Sequence, residues 1–153
     1  MTNPVVQMET TKGTIKVEIN AAQAPKSAAN FLDLVNKGFY NGLSFHRYEP
    51  GFVIQGGCPR GTGTGGYTEN GKERRIELEV SKDLKHTKGV IAMARANDPN
   101  SASSQFYFTL EAAPFLDMQY AVFGKVIEGM DAVSQLRAGD QMTKVHELTA
   151  AKH

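Results

Sequence analysis

Residues 45–57 read FHRYEPGFVIQGG, and the fold is deduced outward from this stretch. Two short runs rich in Phe, Tyr, Val and Ile flank Pro50-Gly51, which is typical of two strands joined by a turn. Because side chains alternate between the two faces of a strand, Phe45 and Arg47 are predicted to lie on the same face. Arg47 is therefore expected to project from a surface that is otherwise apolar.

Similar short runs of β-forming residues occur before and after this stretch, separated by clusters of Gly, Pro, Asn or Asp. The first two runs are predicted to form a hairpin, because residues 11–13 supply turn chemistry between them. Many short strands with few helices favour a barrel or a sandwich over a doubly wound sheet, and a small closed antiparallel barrel is expected. The predicted strands are residues 5–9, 14–19, 43–47, 52–55, 76–80, 90–94, 106–110 and 121–126.

Two helices are predicted in addition to the strands. The first begins at Pro25, whose fixed φ suits a first helical turn, and ends at Gly38, a typical C-cap residue. The second begins near Gly129 and ends at Gly139. The apolar positions at helical spacing are Ala28, Phe31, Leu32 and Val35 in the first helix and Val133 and Leu136 in the second.

The composition predicts one domain over residues 1–153, because 153 residues with 41% hydrophobic content suffice to close one core. The chain carries 17 Lys and Arg against 16 Asp and Glu, and a net charge of +1 gives no field that attracts nucleic acid or an anionic membrane. The single cysteine, Cys58, supports neither an intrachain disulfide nor a Cys-based metal site. A secretory signal pattern and a run of ~20 apolar residues are both lacking, so a cytoplasmic location is predicted.

Several candidate sites are disfavoured by their sequence context. The glycine-rich residues 61–66 lack the Gly-Lys-Ser/Thr and the helix of a phosphate-binding loop, so a surface loop is predicted. Ser103-Ser104 and Cys58 lack the motif or the activating partner of a nucleophile, which disfavours hydrolysis. No metal is predicted, because the histidines lack the spacing of a helical metal pair; they are His46, His86, His146 and His153.

Arg47 allows two interpretations from the pattern alone. It is either an ordinary arginine paired with Glu49 or a functional cation on an apolar surface. A guanidinium keeps its positive charge and offers several N–H donors, so it acts by hydrogen bonding and not by proton transfer. Composition and spacing leave the two interpretations open.

Several separated motifs follow one another along nearly the whole chain. Residues 45–57 contain Phe-His-Arg, Pro-Gly-Phe and Gln-Gly-Gly. The others are Asn30-Phe31, GFY at 38–40, GVIAMAR at 89–95, SQFYF at 104–108, FLD at 115–117 and VFGKV at 122–126. In these motifs and in their order, the sequence closely resembles the cyclophilin family of peptidyl-prolyl cis-trans isomerases, in a small single-domain, prokaryotic-like form.

The resemblance implies a mainly β fold, a closed eight-stranded antiparallel barrel capped by two α-helices. It implies an enzyme that accelerates rotation about X-Pro bonds and assists protein folding, without a cofactor. The implied partners are proline-containing peptides and unfolded or flexible protein segments. Arg47 is the implied catalytic residue, as a hydrogen-bond donor to the twisted prolyl amide. The implied substrate groove on the outer surface is formed by Phe52, Val53, Gln55, Ala94, Arg95, Gln105, Tyr107, Phe115, Leu116 and Tyr120.

The groove departs from the family pattern at three places. Phe115 stands where many members have tryptophan; this removes an N–H donor and predicts weakened affinity for cyclosporin-type ligands. Tyr120 and Arg95 stand where histidine and asparagine are common, and the loop at 96–103 is slightly longer than the common form. Residues 58–85 match the family least, and no functional residue is assigned to them.

An alternative function uses the same groove. A binding module or chaperone would hold proline-containing segments there, and catalysis would be incidental. The intact Arg47 favours an enzyme, because only an enzyme requires a donor that binds the transition state better than the planar isomers.

Overall fold

The structure is a computed structural model that describes residues 4–59, 61, 66–69, 71–96 and 98–148. Within these residues the helices are α1 (Pro25–Asn36) and α2 (Met130–Gln135), and a 3-10 helix covers Pro114–Leu116. The strands are β1 (Val5–Thr10), β2 (Gly13–Ile19), β3 (Phe45–Glu49), β4 (Val53–Gly56), β5 (Thr68–Glu69), β6 (Lys72–Glu73), β7 (Val90–Met93), β8 (Phe106–Thr109), β9 (Val122–Glu128) and β10 (Met142–Glu147). The predicted loop at 61–66 lies mostly outside the described residues, as does His153.

Eight strands form one antiparallel sheet in the order β10-β1-β2-β9-β7-β8-β4-β3, and β5 and β6 form a separate hairpin. The sheet curls strongly, so that the chain entering β3 meets the chain entering β10. Residues 42–45 share four backbone hydrogen bonds of 2.7 to 2.8 Å with residues 139–142. The predicted eight-stranded antiparallel fold with two helices is confirmed, although its closure is limited to this short seam.

The predicted strand at 76–80 is wrong. Ile76 makes a single β-bridge, but the rest of this segment joins no ladder. The backbone N–H of Leu78 donates instead to Oδ1 of Asn100 at 3.0 Å. The Glu79 carboxylate accepts the first N–H groups of α1 at 2.8 and 3.0 Å, and so caps that helix. Long-range side-chain partners therefore take the place of strand pairing here.

Strand β10 was not predicted, and it completes the sheet. Its two buried side chains, Met142 and Val145, lie three positions apart. The register between β1 and β10 shifts between Glu9 and Thr10, which adds a residue to one strand. The period-2 pattern that identifies a half-buried strand is therefore absent from this segment.

Helix α1 agrees with its prediction, whereas α2 is shorter than predicted. Gly38 lies just beyond the C-cap of α1 with a φ of 74°, a conformation that favours glycine. Helix α2 ends well before Gly139, because Leu136 is extended. The Arg137 N–H then donates to the Asp140 carboxylate at 2.8 Å and fixes a turn in place of another helical turn.

Arg47 lies on the opposite face of β3 from Phe45, which corrects the prediction that the two share a face. Phe45 pairs with Gly56, while Arg47 pairs with the adjacent Gln55, so the register shifts at His46. Phe45 is fully buried in the interior, and Arg47 is exposed. A bulge adds one residue and reverses the alternation beyond it. Arg47 reaches the outer surface because of this bulge.

The interior of the curled sheet is filled by aromatic and aliphatic side chains. The Phe31 ring of α1 lies 5.1 to 5.6 Å from the ring centroids of Tyr40, Phe106 and Phe123. The Tyr40 hydroxyl donates to the carbonyl oxygen of Ser104 at 2.8 Å, so this buried polar group is satisfied. The interior is therefore a packed core and not a channel. In the described part of the chain, no helix has the length and apolar character needed to cross a membrane.

Candidate functional site

A second apolar cluster covers the outer face of β4, β7 and β8. Alternation along these strands turns Val53, Ala92 and Tyr107 outward, while Ile54 and Phe106 belong to the interior core. Partly buried residues from the flanking segments pack on the outer cluster; they are Phe52, Leu84, Leu116 and Tyr120. The filled interior leaves no room for a ligand inside the sheet, whereas rigid strands present this cluster on the outer face.

A cavity of about 190 Å³ opens on the outer cluster, and nine of the eleven predicted site residues line it. The other two contact lining residues. Gln105 accepts a hydrogen bond from Gln55, and the Phe115 ring stacks on Phe52 with centroids 5.6 Å apart. The structure thus brings all eleven residues together. The nine lining residues are Arg47, Phe52, Val53, Gln55, Ala94, Arg95, Tyr107, Leu116 and Tyr120.

The Arg47 guanidinium is held loosely beside this cavity. Its Nη1 lies 3.4 Å from Oε1 of Gln55, and its Nε lies 3.4 Å from Oε2 of Glu49. Both distances exceed the ~2.9 Å of a typical N–H···O bond. The Arg47 and Glu49 side chains are 47% and 49% exposed, so their ion pair stabilises the fold by only ~0–1 kcal/mol. The predicted pairing with Glu49 exists, but it is weak enough for a ligand to replace.

Gln55 and Gln105 form a hydrogen-bonded pair beside the guanidinium. The Gln55 amide nitrogen donates to Oε1 of Gln105 at 2.9 Å, which leaves the Gln55 oxygen to face Arg47. An amide has one acceptor end and one donor end, so these two contacts fix how the Gln55 side chain is turned.

Arg95 also lines the cavity, but its guanidinium is engaged with the protein. Two of its nitrogens donate to the carbonyl oxygen of Gln119 at 2.9 and 3.1 Å, and a third donates to that of Ala96 at 2.9 Å. Its guanidinium carbon lies 4.5 Å from the Tyr120 ring centroid, a distance at which a cation is attracted to the ring face. Arg95 therefore holds the segment that carries Tyr120 against the end of β7.

His86 lies behind Tyr107. Its sequence context was considered only for metal binding. Its Nε2 is 2.7 Å from the Tyr107 hydroxyl, and its Nδ1 is 2.9 Å from Oδ1 of Asp117. Burial lowers the pKa of His86, and the hydrogen bond with Asp117 offsets part of that effect. Burial acts to raise the pKa of Asp117, but hydrogen bonds from the His86 backbone and ring lower it below its usual value. No sequence pattern marked this pair, because 31 residues separate the two side chains.

A larger cavity of about 350 Å³ lies between β2, β9 and residues 83–87. It shares no lining residue with the cavity at Arg47, and both charge signs line it, as Glu18, Asp83, Lys85 and Lys125. Nine of the residues that the family resemblance implies line the smaller cavity, where Arg47 and Gln55 converge beside the side chains of Phe52 and Leu116. We therefore assign the candidate site to it.

The sequence matches the family model described as "Cyclophilin type peptidyl-prolyl cis-trans isomerase/CLD" over residues 5–151. It is 46% identical over 132 residues to the human protein "Peptidyl-prolyl cis-trans isomerase-like 3", which covers 86% of this chain and 80% of that protein. It is 43% identical over 145 residues to a peptidyl-prolyl cis-trans isomerase of Acinetobacter baylyi, covering 89% of this chain and 73% of that protein.

The structure superposes on a crystal structure of a cyclophilin type peptidyl-prolyl cis-trans isomerase from Cryptosporidium parvum. The TM-score is 0.87 at 32% identity, covering 96% of this chain and 98% of that chain. A second crystal structure of the Cryptosporidium protein, obtained in the presence of the dipeptide Ala-Pro, gives a TM-score of 0.85 at 32% identity over 95% of this chain and 99% of that chain.

Proposed function

This chain belongs to the cyclophilin-type peptidyl-prolyl cis-trans isomerases, and from that membership we propose that Arg47 accelerates X-Pro rotation by hydrogen bonding to the twisted prolyl amide. The observation that carries the proposal is a loosely held guanidinium beside a cavity on the outer face of the sheet, which Phe52 and Leu116 also line. Such a donor has spare hydrogen-bonding capacity where the proline of a substrate would lie.

The chemistry requires a donor and no proton transfer. Rotation about an X-Pro bond faces a barrier of ~18–20 kcal/mol, because amide resonance gives the C–N bond partial double-bond character. In the twisted transition state the prolyl nitrogen becomes pyramidal and its lone pair accepts a hydrogen bond. A donor aimed at that nitrogen binds the transition state more tightly than either planar isomer, and this lowers the barrier. Arg47 supplies such a donor with a permanent positive charge.

The apolar lining strengthens this donor. We propose that Phe52, Val53, Tyr107 and Leu116 grip the proline ring and displace water from the cavity. With water displaced, the effective dielectric falls and the hydrogen bond from Arg47 becomes stronger. The same surroundings disfavour the polar planar amide relative to the twisted one.

The peptide on either side of the proline is held by polar groups at the rim. We assign this role to Gln55, Gln105 and the backbone near Arg95, with Ala94, Phe115 and Tyr120 as apolar contacts. Because both flanking peptide segments are held, the rotating bond stays beside Arg47 and less entropy is lost in reaching the transition state. The Cryptosporidium relative was crystallised in the presence of Ala-Pro, which supports proline-containing peptides as ligands of this chain also.

The proposed clients are unfolded or flexible protein segments. A shallow cavity on the outer surface accepts an exposed proline together with its extended neighbours, whereas a proline in folded structure does not reach it. Because uncatalysed X-Pro isomerisation takes tens to hundreds of seconds, its acceleration assists folding wherever it is rate-limiting.

The test is cis/trans exchange of a short proline peptide, measured by NMR exchange spectroscopy for the wild type and for Arg47→Ala. Removing one well-oriented donor costs ~2.7–4 kcal/mol, so we expect kcat/KM to fall by roughly 100- to 1000-fold. The melting temperature is expected to stay near that of the wild type, because the Glu49 pair contributes little.

Two control variants separate hydrogen bonding from charge. Arg47→Lys keeps the charge but loses the planar fork of donors, and we expect it to recover only a minor part of the activity. Arg75→Ala removes a surface arginine whose ion-pair partners, Glu73 and Asp98, do not line the cavity, and we expect wild-type activity. Full activity in Arg47→Ala would refute the proposed role of Arg47.

A further inference from the structure

A buried histidine lies behind the cavity and contacts two of its walls. His86 is 2% exposed, although it is a polar residue on a surface segment. The oxygen of the Tyr107 hydroxyl lies 2.7 Å from its Nε2. Asp117 Oδ1 lies 2.9 Å from its Nδ1 and accepts its backbone N–H at 2.7 Å. Each polar atom of the His86 ring thus has one partner.

The direction of each hydrogen bond follows from charge. The pKa of Asp117 lies below its usual value, so at neutral pH its carboxylate has no proton to donate. Nδ1 of His86 must therefore carry the proton of that bond. Burial lowers the pKa of His86 and keeps the ring neutral at this pH, so Nε2 is an acceptor. The Tyr107 hydroxyl consequently donates to Nε2. The two hydrogen bonds therefore run in one direction, from Tyr107 to His86 and from His86 to Asp117.

Tyr107 and Asp117, the two hydrogen-bond partners of His86, belong to different parts of the cavity. Tyr107 comes from β8 and forms its floor, and its ring also lies parallel to the His86 ring, with centroids 5.9 Å apart and an angle of 15°. Asp117 directly follows the 3-10 helix at Pro114–Leu116, which carries the Leu116 and Phe115 side chains. A single imidazole therefore connects the floor to the adjacent wall.

We propose that His86 is a positioning residue of the isomerase, which fixes the Tyr107 floor and the 114–117 wall relative to each other. The inference rests on the proposed function in one respect, that this cavity receives the proline. His86 itself touches no substrate. It acts because the proline ring fits between Tyr107 and Leu116 in one orientation, and a small shift of either surface moves the prolyl nitrogen away from Arg47.

The test removes the Tyr107 hydroxyl alone. Tyr107→Phe keeps the ring, and we expect kcat/KM to fall about 3- to 10-fold, the range that corresponds to one lost hydrogen bond. The matched control is Tyr40→Phe, which deletes a buried hydroxyl with a bond of 2.8 Å inside the core. We expect Tyr40→Phe to lower the melting temperature at least as much but to keep wild-type kcat/KM.

A double-mutant cycle then shows whether the hydroxyl acts through His86. In a His86→Leu background, adding Tyr107→Phe is expected to change kcat/KM by less than 2-fold, because the partner is already gone. His86→Gln, whose amide can donate to Asp117 and accept from Tyr107, is expected to recover most of the activity and to restore the sensitivity to Tyr107→Phe. Additive losses in the His86→Leu background would overturn the proposal.

A spectroscopic measurement is independent of activity and of the folding of the His86 variants. Nitrogen-15 NMR of the imidazole at neutral pH is expected to show a protonated Nδ1 and an unprotonated Nε2 in the wild type. Tyr107→Phe is expected to shift the Nε2 resonance and leave the tautomer unchanged. A protonated Nε2 in the wild type would overturn the inferred direction of the two hydrogen bonds.

The two proposals fail separately. Wild-type kcat/KM in Tyr107→Phe, with Arg47→Ala inactive, overturns the role of His86 alone. Full activity in Arg47→Ala refutes the role of Arg47, while the Tyr107 and His86 cycle still measures whether this cavity is positioned by His86.

Discussion

The inner and outer faces of strand β8 differ in chemistry, although they alternate residue by residue. Phe106 and Phe108 point into the core and contact other rings, with Phe106 5.6 Å from Phe31. Between them, Tyr107 points outward to His86 and the candidate site. The inner face is held by packing, which tolerates no polar group without a partner. On the outer face, the Tyr107 hydroxyl is hydrogen-bonded to His86 and not to the core, so the site can change without the core changing.

The neighbouring strand β4 shows the same division. On β4, Ile54 is fully buried in the interior, while Gln55 faces Arg47 on the outside. Substitutions of inward side chains should therefore reduce stability first, and substitutions of outward side chains should reduce activity first. The following predictions test this division.

The largest expected effect is on the inner face. Phe108→Ala should lower the free energy of unfolding by ~3–5 kcal/mol, because it leaves a cavity in the aromatic core. Phe115→Ala is the matched comparison, since Phe115 is 65% exposed and should cost less than ~1.5 kcal/mol, mostly from its stacking on Phe52. Urea denaturation measures both. Similar losses in the two variants would contradict the division between the faces.

A smaller effect is expected at Gln55 on the outer face. Gln55→Ala removes the amide oxygen that faces the Arg47 guanidinium, and we expect kcat/KM to fall about 3- to 10-fold. The free energy of unfolding should change by less than ~1 kcal/mol, since the residue is only partly buried. Gln7→Ala, which removes a half-buried glutamine on β1, is the control and should keep full activity. Unchanged activity in Gln55→Ala would mean that Arg47 is oriented without it.

A substitution at the rim of the site should increase ligand affinity. Phe115→Trp adds an indole N–H and more apolar area at an exposed position beside the cavity. We expect the affinity for cyclosporin to rise about 3- to 10-fold, which corresponds to one added hydrogen bond. Titration calorimetry measures this affinity. An unchanged affinity would contradict the prediction that Phe115 weakens cyclosporin binding.

The smallest expected effect is the pH dependence of stability. Burial lowers the pKa of His86 in the folded state, so the unfolded chain binds a proton at higher pH than the folded one. Stability should be constant above pH ~6.5 and fall as the pH is lowered through that value toward the folded pKa, by at most ~1.4 kcal/mol per pH unit for one group. His86→Gln should flatten this slope. The remaining slope is expected from His46, whose pKa is lowered by burial and by Arg47.

Local patterns predicted the elements that have regular periodicity. The N-terminal hairpin and α1 were predicted from period 2, helical spacing and capping residues, and the structure has both. Strand β10 was not predicted, because a bulge removes its alternation of buried and exposed residues. Residues 76–80 were wrongly predicted to be a strand, because their hydrogen-bond partners are distant side chains. Periodicity reports which side chains are buried, but it does not report where a backbone group finds its partner.

The candidate site shows the same limit. The eleven residues were assigned by resemblance, and the fold gathers them around one cavity, while their roles stay predictions. His86 and Asp117 were not assigned to the site, because their contact joins segments that the sequence keeps 31 residues apart.

The sequence by itself determined the family, the alternating strands, the first helix and the residue types that suit prolyl isomerisation. These follow from local propensity and from motifs within short stretches. Only the tertiary structure decided which face carries Arg47, because the bulge at His46 is visible in the pairing of β3 with β4 and not in either strand alone. It also decided that His86 connects the floor and the wall of the cavity. Long-range pairing sets both features, and no local rule specifies long-range pairing.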